Sequence, residues 1–89
     1  MLSTIKKVKD ILSIYGCKEA YLFGSQVTGN INSFSDIDIG VRGLAAEFFF
    51  IVHAKLEDEL QIPVDLVDFD VHTDFYKMLK SIGELKLID

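Results

Sequence analysis

Apolar side chains recur at helical spacing in three parts of the chain, residues 5–15, 44–60 and 75–82. Glycines at positions 16 and 83 follow the first and the last of these segments, as is typical of helix C-termini. The candidate N-caps are Ser3 or Thr4 for the first helix and Thr73 or Asp74 for the last. In the middle helix the apolar stripe repeats every fourth residue, at Leu44, Phe48, Val52, Leu56 and Leu60.

Short apolar runs between these helices predict strands at residues 17–23, 36–41 and 64–69, and a terminal edge strand at 85–88. Pro63 lies where the third strand begins, and a strand tolerates the loss of one ladder donor there. Polar residues 26–35 favour a short helix followed by a loop. The order of elements predicts an α/β (α+β) fold, a small mixed β-sheet flanked by helices, with residues 1–89 as a single domain.

The net charge of the chain limits the classes of partner that it can bind. Nine Lys and Arg stand against fourteen Asp and Glu, a formal net charge of −5. Nucleic acid is therefore a poor partner, because few cations are available to replace the counterions of a phosphate backbone. Residues 48–52 form the longest apolar run, too short to span a membrane. The single cysteine cannot form an internal disulfide, and the N-terminus lacks the apolar core of a signal peptide, so we expect a cytoplasmic protein.

Candidate chemistry begins where the first strand ends, at Gly24-Ser25. Glycine allows a ligand to approach the backbone closely, because it has no Cβ. The hydroxyl of Ser25 and the free N–H groups of a helix that begins there can hold phosphate oxygens. We therefore predict an anion-binding turn at these two residues.

Ten residues separate Ser25 from the sequence Asp36-Ile37-Asp38. Residues two apart on a strand project from one face, so both carboxylates repel each other unless a cation lies between them. Mg²⁺ prefers oxygen ligands together with substrate phosphates. A third carboxylate would complete a two-metal site, and Asp65 is preferred to Asp68, which points to the opposite face of a regular strand.

The sequence Gly-Ser-x₁₀-Asp-x-Asp, followed by the strand Val-Asp-Leu-Val at residues 64–67, resembles the minimal nucleotidyltransferases of the polymerase-beta-like superfamily. The resemblance implies that Gly24 and Ser25 bind the nucleotide triphosphate. It also implies that Asp36 and Asp38 ligate two Mg²⁺ ions, and that Asp65 ligates one of them and helps to deprotonate the acceptor hydroxyl.

Many small members of that family resemble antitoxins that are paired with a HEPN-domain ribonuclease toxin. Some of them transfer AMP from ATP to a tyrosine of the toxin. The resemblance thus implies an ATP- and Mg²⁺-dependent nucleotidyltransferase antitoxin whose acceptor arrives on another chain. Two alternatives stay open. The first is a catalytically idle antitoxin that acts by binding alone, which Thr28 favours because family members often have arginine there. The second is transfer to a small-molecule acceptor.

Four further positions carry weaker expectations. Phe50 falls opposite the apolar stripe of the middle helix, which predicts a protein contact, either in a homodimer or with a toxin. His53 is expected to be a solvated helix residue, residues 57–59 a solvated helix end, and Cys17 a structural buried thiol.

Overall fold

The structure, a computed structural model, describes residues 2–24 and 36–88. Ser25 and the predicted short helix within residues 26–35 lie outside the described residues. In chain order the elements are α1 (Leu2–Ile14), β1 (Glu19–Phe23), β2 (Ile37–Arg42), a 3-10 helix (Ala46–Phe48), α2 (Phe49–Leu60), β3 (Val64–Asp68), α3 (Thr73–Ser81) and β4 (Leu85–Leu87).

The four strands form one mixed sheet in the order β3-β2-β1-β4. β1 is antiparallel to both β2 and β4, whereas β2 and β3 are parallel. A parallel pair needs a crossover connection, and α2 lies within it. The predicted α/β class is confirmed, and β4 lies at the sheet edge as expected.

Helices pack on both faces of the sheet because the strand residues alternate in direction. On one face, buried residues of α1 and α2 join strand residues in a single apolar cluster, which includes Val8, Leu12, Ile37, Ile39, Val52 and Leu56. On the other face Phe23, Phe69 and Leu79 form a second cluster, with Phe75 and Tyr76 of α3 packed against it.

Gly16 ends the first helix as predicted, with a left-handed backbone at φ 75°. Its N–H donates to the carbonyl of Ser13 at 3.1 Å, and the N–H of Cys17 donates to the carbonyl of Leu12 at 3.0 Å. These two bonds make a Schellman motif, which satisfies carbonyls that the helix itself leaves open.

Three local predictions are wrong. α1 begins at Leu2, ahead of both predicted N-caps, and the residue before α3 is His72, which makes no side-chain cap bond. The middle helix begins at residue 49 rather than 44, since Ala45 has an extended backbone with ψ 134°. Leu44 is nevertheless buried in the core from its place ahead of the helix.

The amphipathic face of α3 is narrower than predicted. Leu79 is buried, whereas Met78 and Ile82 are about half exposed, at 48% and 57%. This nine-residue helix reaches the sheet only through the side that carries Phe75, Tyr76 and Leu79. In the described ranges, no helix has both the length and the apolar character that a membrane span requires.

Candidate active site

Two aspartates face each other across the parallel strands. Asp38 of β2 is in register with Asp65 of β3. Residues in register on adjacent strands project from the same face of the sheet, so the two carboxylates share one face. The opposite face is fixed by burial, because Ile37, Ile39 and Leu66 alternate with these aspartates and lie in the core. A slip of one residue would expose that apolar set, and the register is therefore well determined.

Asp36 directly precedes β2, at the same end of the sheet. Asp36 and Asp65 are exposed, and Asp38 is half-buried. Burial raises the pKa of Asp38 above its ordinary value, and the negative charges of Asp65 and Asp36 raise it further. The three predicted carboxylates therefore lie near enough to one another for their charges to interact.

Gly24 reaches the same end of the sheet from a third strand. It follows β1, with φ 73°, a conformation that glycine adopts without steric cost. β1 and β2 are antiparallel, with Leu22 in register with Ile39, so the C-terminal end of β1 adjoins the beginning of β2. Gly24 is thus brought towards Asp36. Its predicted companion, Ser25, lies outside the described residues.

The donor chemistry of this end of the sheet suits a divalent cation. Carboxylate oxygens are the ligands that Mg²⁺ takes in proteins, and a cation would relieve the repulsion that Asp38 experiences. Across residues 2–24 and 36–88, however, no three His, Cys, Asp or Glu side chains converge into a group that could hold an ion. The metal-ligand roles of Asp36, Asp38 and Asp65 therefore stay predictions, and the structure adds the register that sets Asp38 beside Asp65.

Asp68 has a different role. It is in register with Val41 rather than with an aspartate. Its carboxylate accepts a hydrogen bond from the N–H of Asp70 at 2.9 Å, and its carbonyl accepts from the N–H groups of Val71 and His72. Asp68 thus organises the turn that leads into α3. Asp65 and Asp68 were the two candidates for a third carboxylate, and the parallel register places Asp65 opposite Asp38.

An aromatic cluster lies on the same face of the sheet as the paired aspartates, and sequence reasoning missed it. Phe69 is 1% exposed, and its ring centroid lies 5.3 to 6.2 Å from those of Tyr21, Phe23, Phe75 and Tyr76. Gly40 makes room for it, since a Cβ there would lie 2.0 Å from Cε2 of Phe69. A glycine flanked by strand residues was the available signal, because it often marks a close approach.

Arg42 ends β2 on this face, at the end of the strand away from the aspartates. Its guanidinium lies 3.6 Å from Glu19 and 3.8 Å from Asp70, and its Cζ lies 4.7 Å from the ring centroid of Tyr76. These contacts bind β1, β2 and the turn before α3 together. Arg42 therefore serves the fold rather than the paired aspartates.

Two residues of α2 contact β3, contrary to the expectation that both are solvated. Nε2 of His53 lies 2.7 Å from the carbonyl oxygen of Val64. The N–H of Val64 donates to Oε2 of Glu57 at 2.9 Å. Helical periodicity alone did not reveal these contacts, because they depend on how closely α2 approaches the strand that follows it.

Cys17 is half-buried, and its Sγ lies 3.2 Å from the carbonyl oxygen of Glu19 and 3.5 Å from that of Arg42. Burial raises the pKa of this thiol above its ordinary value. The structural role predicted for the thiol agrees with these contacts.

The model of the polymerase beta nucleotidyltransferase family matches residues 6–88. Among curated proteins, none matches this sequence.

Several solved structures resemble the fold closely. One is a toxin–antitoxin complex solved with AMP-PNP, with a TM-score of 0.78 and 27% identity, over 96% of this chain and 72% of that one. A second, the MntA–HepT toxin–antitoxin, has a TM-score of 0.74 and 24% identity, over 100% of this chain and 72% of that one, and shows the fold alone. A third is a variant of an MntA toxin–antitoxin complex in which two aspartates are replaced by glutamate, with a TM-score of 0.75 and 25% identity, over 96% and 71% of the two chains.

Proposed function

The chain belongs to the polymerase beta nucleotidyltransferase family, and on that premise we propose that it is the nucleotidyltransferase antitoxin of a toxin–antitoxin pair. Its reaction is the transfer of AMP from ATP to a hydroxyl, a tyrosine hydroxyl in this proposal, of a HEPN-domain toxin. The likeness to toxin–antitoxin complexes, one of them solved with AMP-PNP, supports the partner and the nucleotide.

The observation that carries the proposal is the register between Asp38 and Asp65. It sets two carboxylates side by side on one face, with Asp36 directly before β2. Neighbouring like charges are unfavourable for stability, and an arrangement that keeps them together is typical of a functional site.

The three aspartates are the residues that would hold Mg²⁺. When bound, the ions would supply charge stabilisation at the reacting phosphate and at the attacking and leaving oxygens.

The residues of the chain have distinct tasks in this transfer. Gly24 and Ser25 receive the triphosphate, which fits the left-handed backbone and half-buried position of Gly24. Asp65 is exposed and can therefore be reached by an acceptor on another chain. Its carboxylate accepts the proton of the acceptor hydroxyl. The hydroxyl oxygen forms a bond to the α-phosphorus, the bond from that phosphorus to the bridging oxygen breaks, and pyrophosphate leaves.

Mass spectrometry of the partner tests this function. The chain is co-expressed with a HEPN-domain toxin, the partner that the proposal requires, and the toxin is weighed intact, with the same toxin expressed alone as the reference. Transfer predicts an increment of whole AMP units, which disappears with the double variant Asp36→Asn and Asp38→Asn.

A partner that is neutralised but carries no increment would instead identify the idle antitoxin that acts by binding alone. An increment that persists at the wild-type rate in the double variant would refute the proposed roles of the carboxylates.

A further inference from the structure

One edge of β3 is open among the residues that the structure describes. There β3 forms the end of the sheet and pairs with β2 alone. The N–H of Ile37 donates to the carbonyl of Pro63, and the N–H of Phe69 donates to the carbonyl of Val41. In a parallel ladder this pattern turns the odd-numbered residues of β3 towards β2 and the backbone groups of the even-numbered ones outward.

Both ends of that edge are already occupied. Val64 is held by Glu57 and His53 of α2, through its N–H and its carbonyl respectively. The carbonyl of Asp68 accepts two N–H groups of the following turn. Between them, the described part of the chain offers no hydrogen-bond partner to the N–H and carbonyl of Leu66 or to the N–H of Asp68. The edge therefore presents a short segment of backbone that is open to another strand.

An apolar groove runs along this open segment. It encloses about 430 Å³, and Leu66 lines it together with Phe49 and Phe50 of α2 and Val71 of the turn before α3. Phe50 is 79% exposed and Val71 is 70% exposed, although both are large apolar side chains. Open backbone groups beside exposed apolar side chains are the two features by which sheet edges bind extended peptides.

The charge around the groove selects its occupant. Asp68 and His72 are the titratable residues in the groove lining. The surrounding segment, residues 57–76, contains seven Asp and Glu and no Lys or Arg. A second copy of this chain would bring the same acidic segment to the contact and would be repelled. A partner with Lys or Arg next to its apolar side chains would be attracted.

We propose that the β3 edge groove, formed by Phe49, Phe50, Leu66 and Val71, binds an extended, basic and apolar segment of a partner protein. The segment adds to β3 through the backbone of Leu66. This inference rests on the proposed function for the identity of the partner, which is the protein that carries the acceptor hydroxyl. Asp65 directly precedes Leu66, so a segment bound at this edge lies beside a proposed catalytic carboxylate.

Binding is tested with a synthetic probe that needs no knowledge of the partner. The probe is a six-residue peptide of alternating lysine and valine, capped at both ends, and its counterpart replaces lysine with glutamate. Backbone amide spectra of the full chain are recorded during titration. The lysine peptide is expected to shift the amides of Phe50, Leu66 and Val71 and to slow hydrogen exchange at the Leu66 amide. The glutamate peptide should bind at least about tenfold more weakly.

Uncharged substitutions distinguish binding of the lysine peptide at the groove from its general electrostatic attraction to an acidic chain. Phe50→Ser and Val71→Ser should each weaken the lysine peptide by about five- to tenfold. Ile14→Ser is the matched control, because Ile14 is 78% exposed on α1 and lies outside the groove. The Ile14→Ser variant should bind the lysine peptide with the affinity of the wild type.

Three results would overturn the inference: equal binding of the two peptides, shifts centred away from β3, or unchanged affinity in both groove variants. Shifts of the same amides with protein concentration alone would show that a second copy occupies the groove, and would also overturn it. The peptide has no hydroxyl and needs no nucleotide. A chain that binds it but never modifies a partner would therefore refute the proposed function and leave the docking site standing.

Discussion

Replacement of Gly40 by alanine should destabilise the protein far more than the small size of the added methyl group suggests. The new Cβ would lie 2.0 Å from Cε2 and 2.1 Å from Cζ of Phe69, whereas ordinary contacts begin near 3.4 Å. The ring would have to move by about 1.4 Å. It is held on several sides by Tyr21, Phe23 and Tyr76, so it cannot move without disturbing the whole aromatic cluster.

The expected cost is that of overpacking a core, about 1–3 kcal/mol. A domain of this length is stable by only about 4–13 kcal/mol, so the loss would be a large fraction of the total. Urea unfolding followed by circular dichroism measures it, as a lower midpoint with an unchanged slope.

A double-mutant cycle shows whether the ring is the cause. Phe69→Leu alone should destabilise the protein, because it removes buried ring atoms. Combined with Gly40→Ala, it makes room for the added methyl group, and the double variant should lose at least about 1 kcal/mol less than the sum of the two single losses. A loss below about 0.5 kcal/mol for Gly40→Ala, or strict additivity in the cycle, would refute the close packing described here.

Other positions give further predictions. Gly16→Ala should cost only about 1 kcal/mol in urea unfolding, since φ is 75° there but no atom lies within 4 Å of the new Cβ, and Gly16→Asn should cost less. Glu57→Ala should lower the free energy of unfolding by about 1 kcal/mol, because the N–H of Val64 loses its acceptor. Glu57→Gln keeps an acceptor oxygen and should retain most of that stability. Equal losses in the two variants would contradict this hydrogen bond. The Cys17 thiol, whose pKa is raised mainly by burial, holds less thiolate at pH 8 than a free cysteine. It should therefore react more slowly with a disulfide reagent, and a rate equal to that of the urea-unfolded chain would contradict this burial.

Hydrophobic periodicity was sufficient to predict the helices, the strands and the class of fold, because each of these depends on a local pattern. The same pattern predicted that Phe50 would face away from the core. It failed at the helix starts, where the extended backbone of Ala45 delays the middle helix. It also failed for α3, where Met78 fits the helical spacing but is about half exposed.

The candidate site divides in a similar way. The spacing of Asp36 and Asp38 predicted from the sequence alone that they share a face, and the structure places Asp38 on β2 and Asp36 directly before it. Which aspartate of the third strand stands opposite them depends on the parallel register, and that register depends on tertiary packing. The contacts of His53 and Glu57 with Val64, and the close packing of Gly40 on Phe69, join segments that are distant in the sequence. No local pattern could have indicated the two contacts of α2, whereas a glycine inside a predicted strand was a signal for the close approach at Gly40.

In the proposed reaction, the aspartates paired across β2 and β3 carry the transfer. The most direct test measures transfer of label from ATP, labelled at the α-phosphate, to the purified HEPN-type partner in Mg²⁺. Asp38→Asn and Asp65→Asn are each compared with the wild type and with Asp58→Asn, an equal change at an exposed position of α2. We expect Asp38→Asn and Asp65→Asn each to lose at least about 100-fold in rate, whereas Asp58→Asn should retain the wild-type rate. Wild-type transfer by the Asp38→Asn or the Asp65→Asn variant would contradict the proposed reaction.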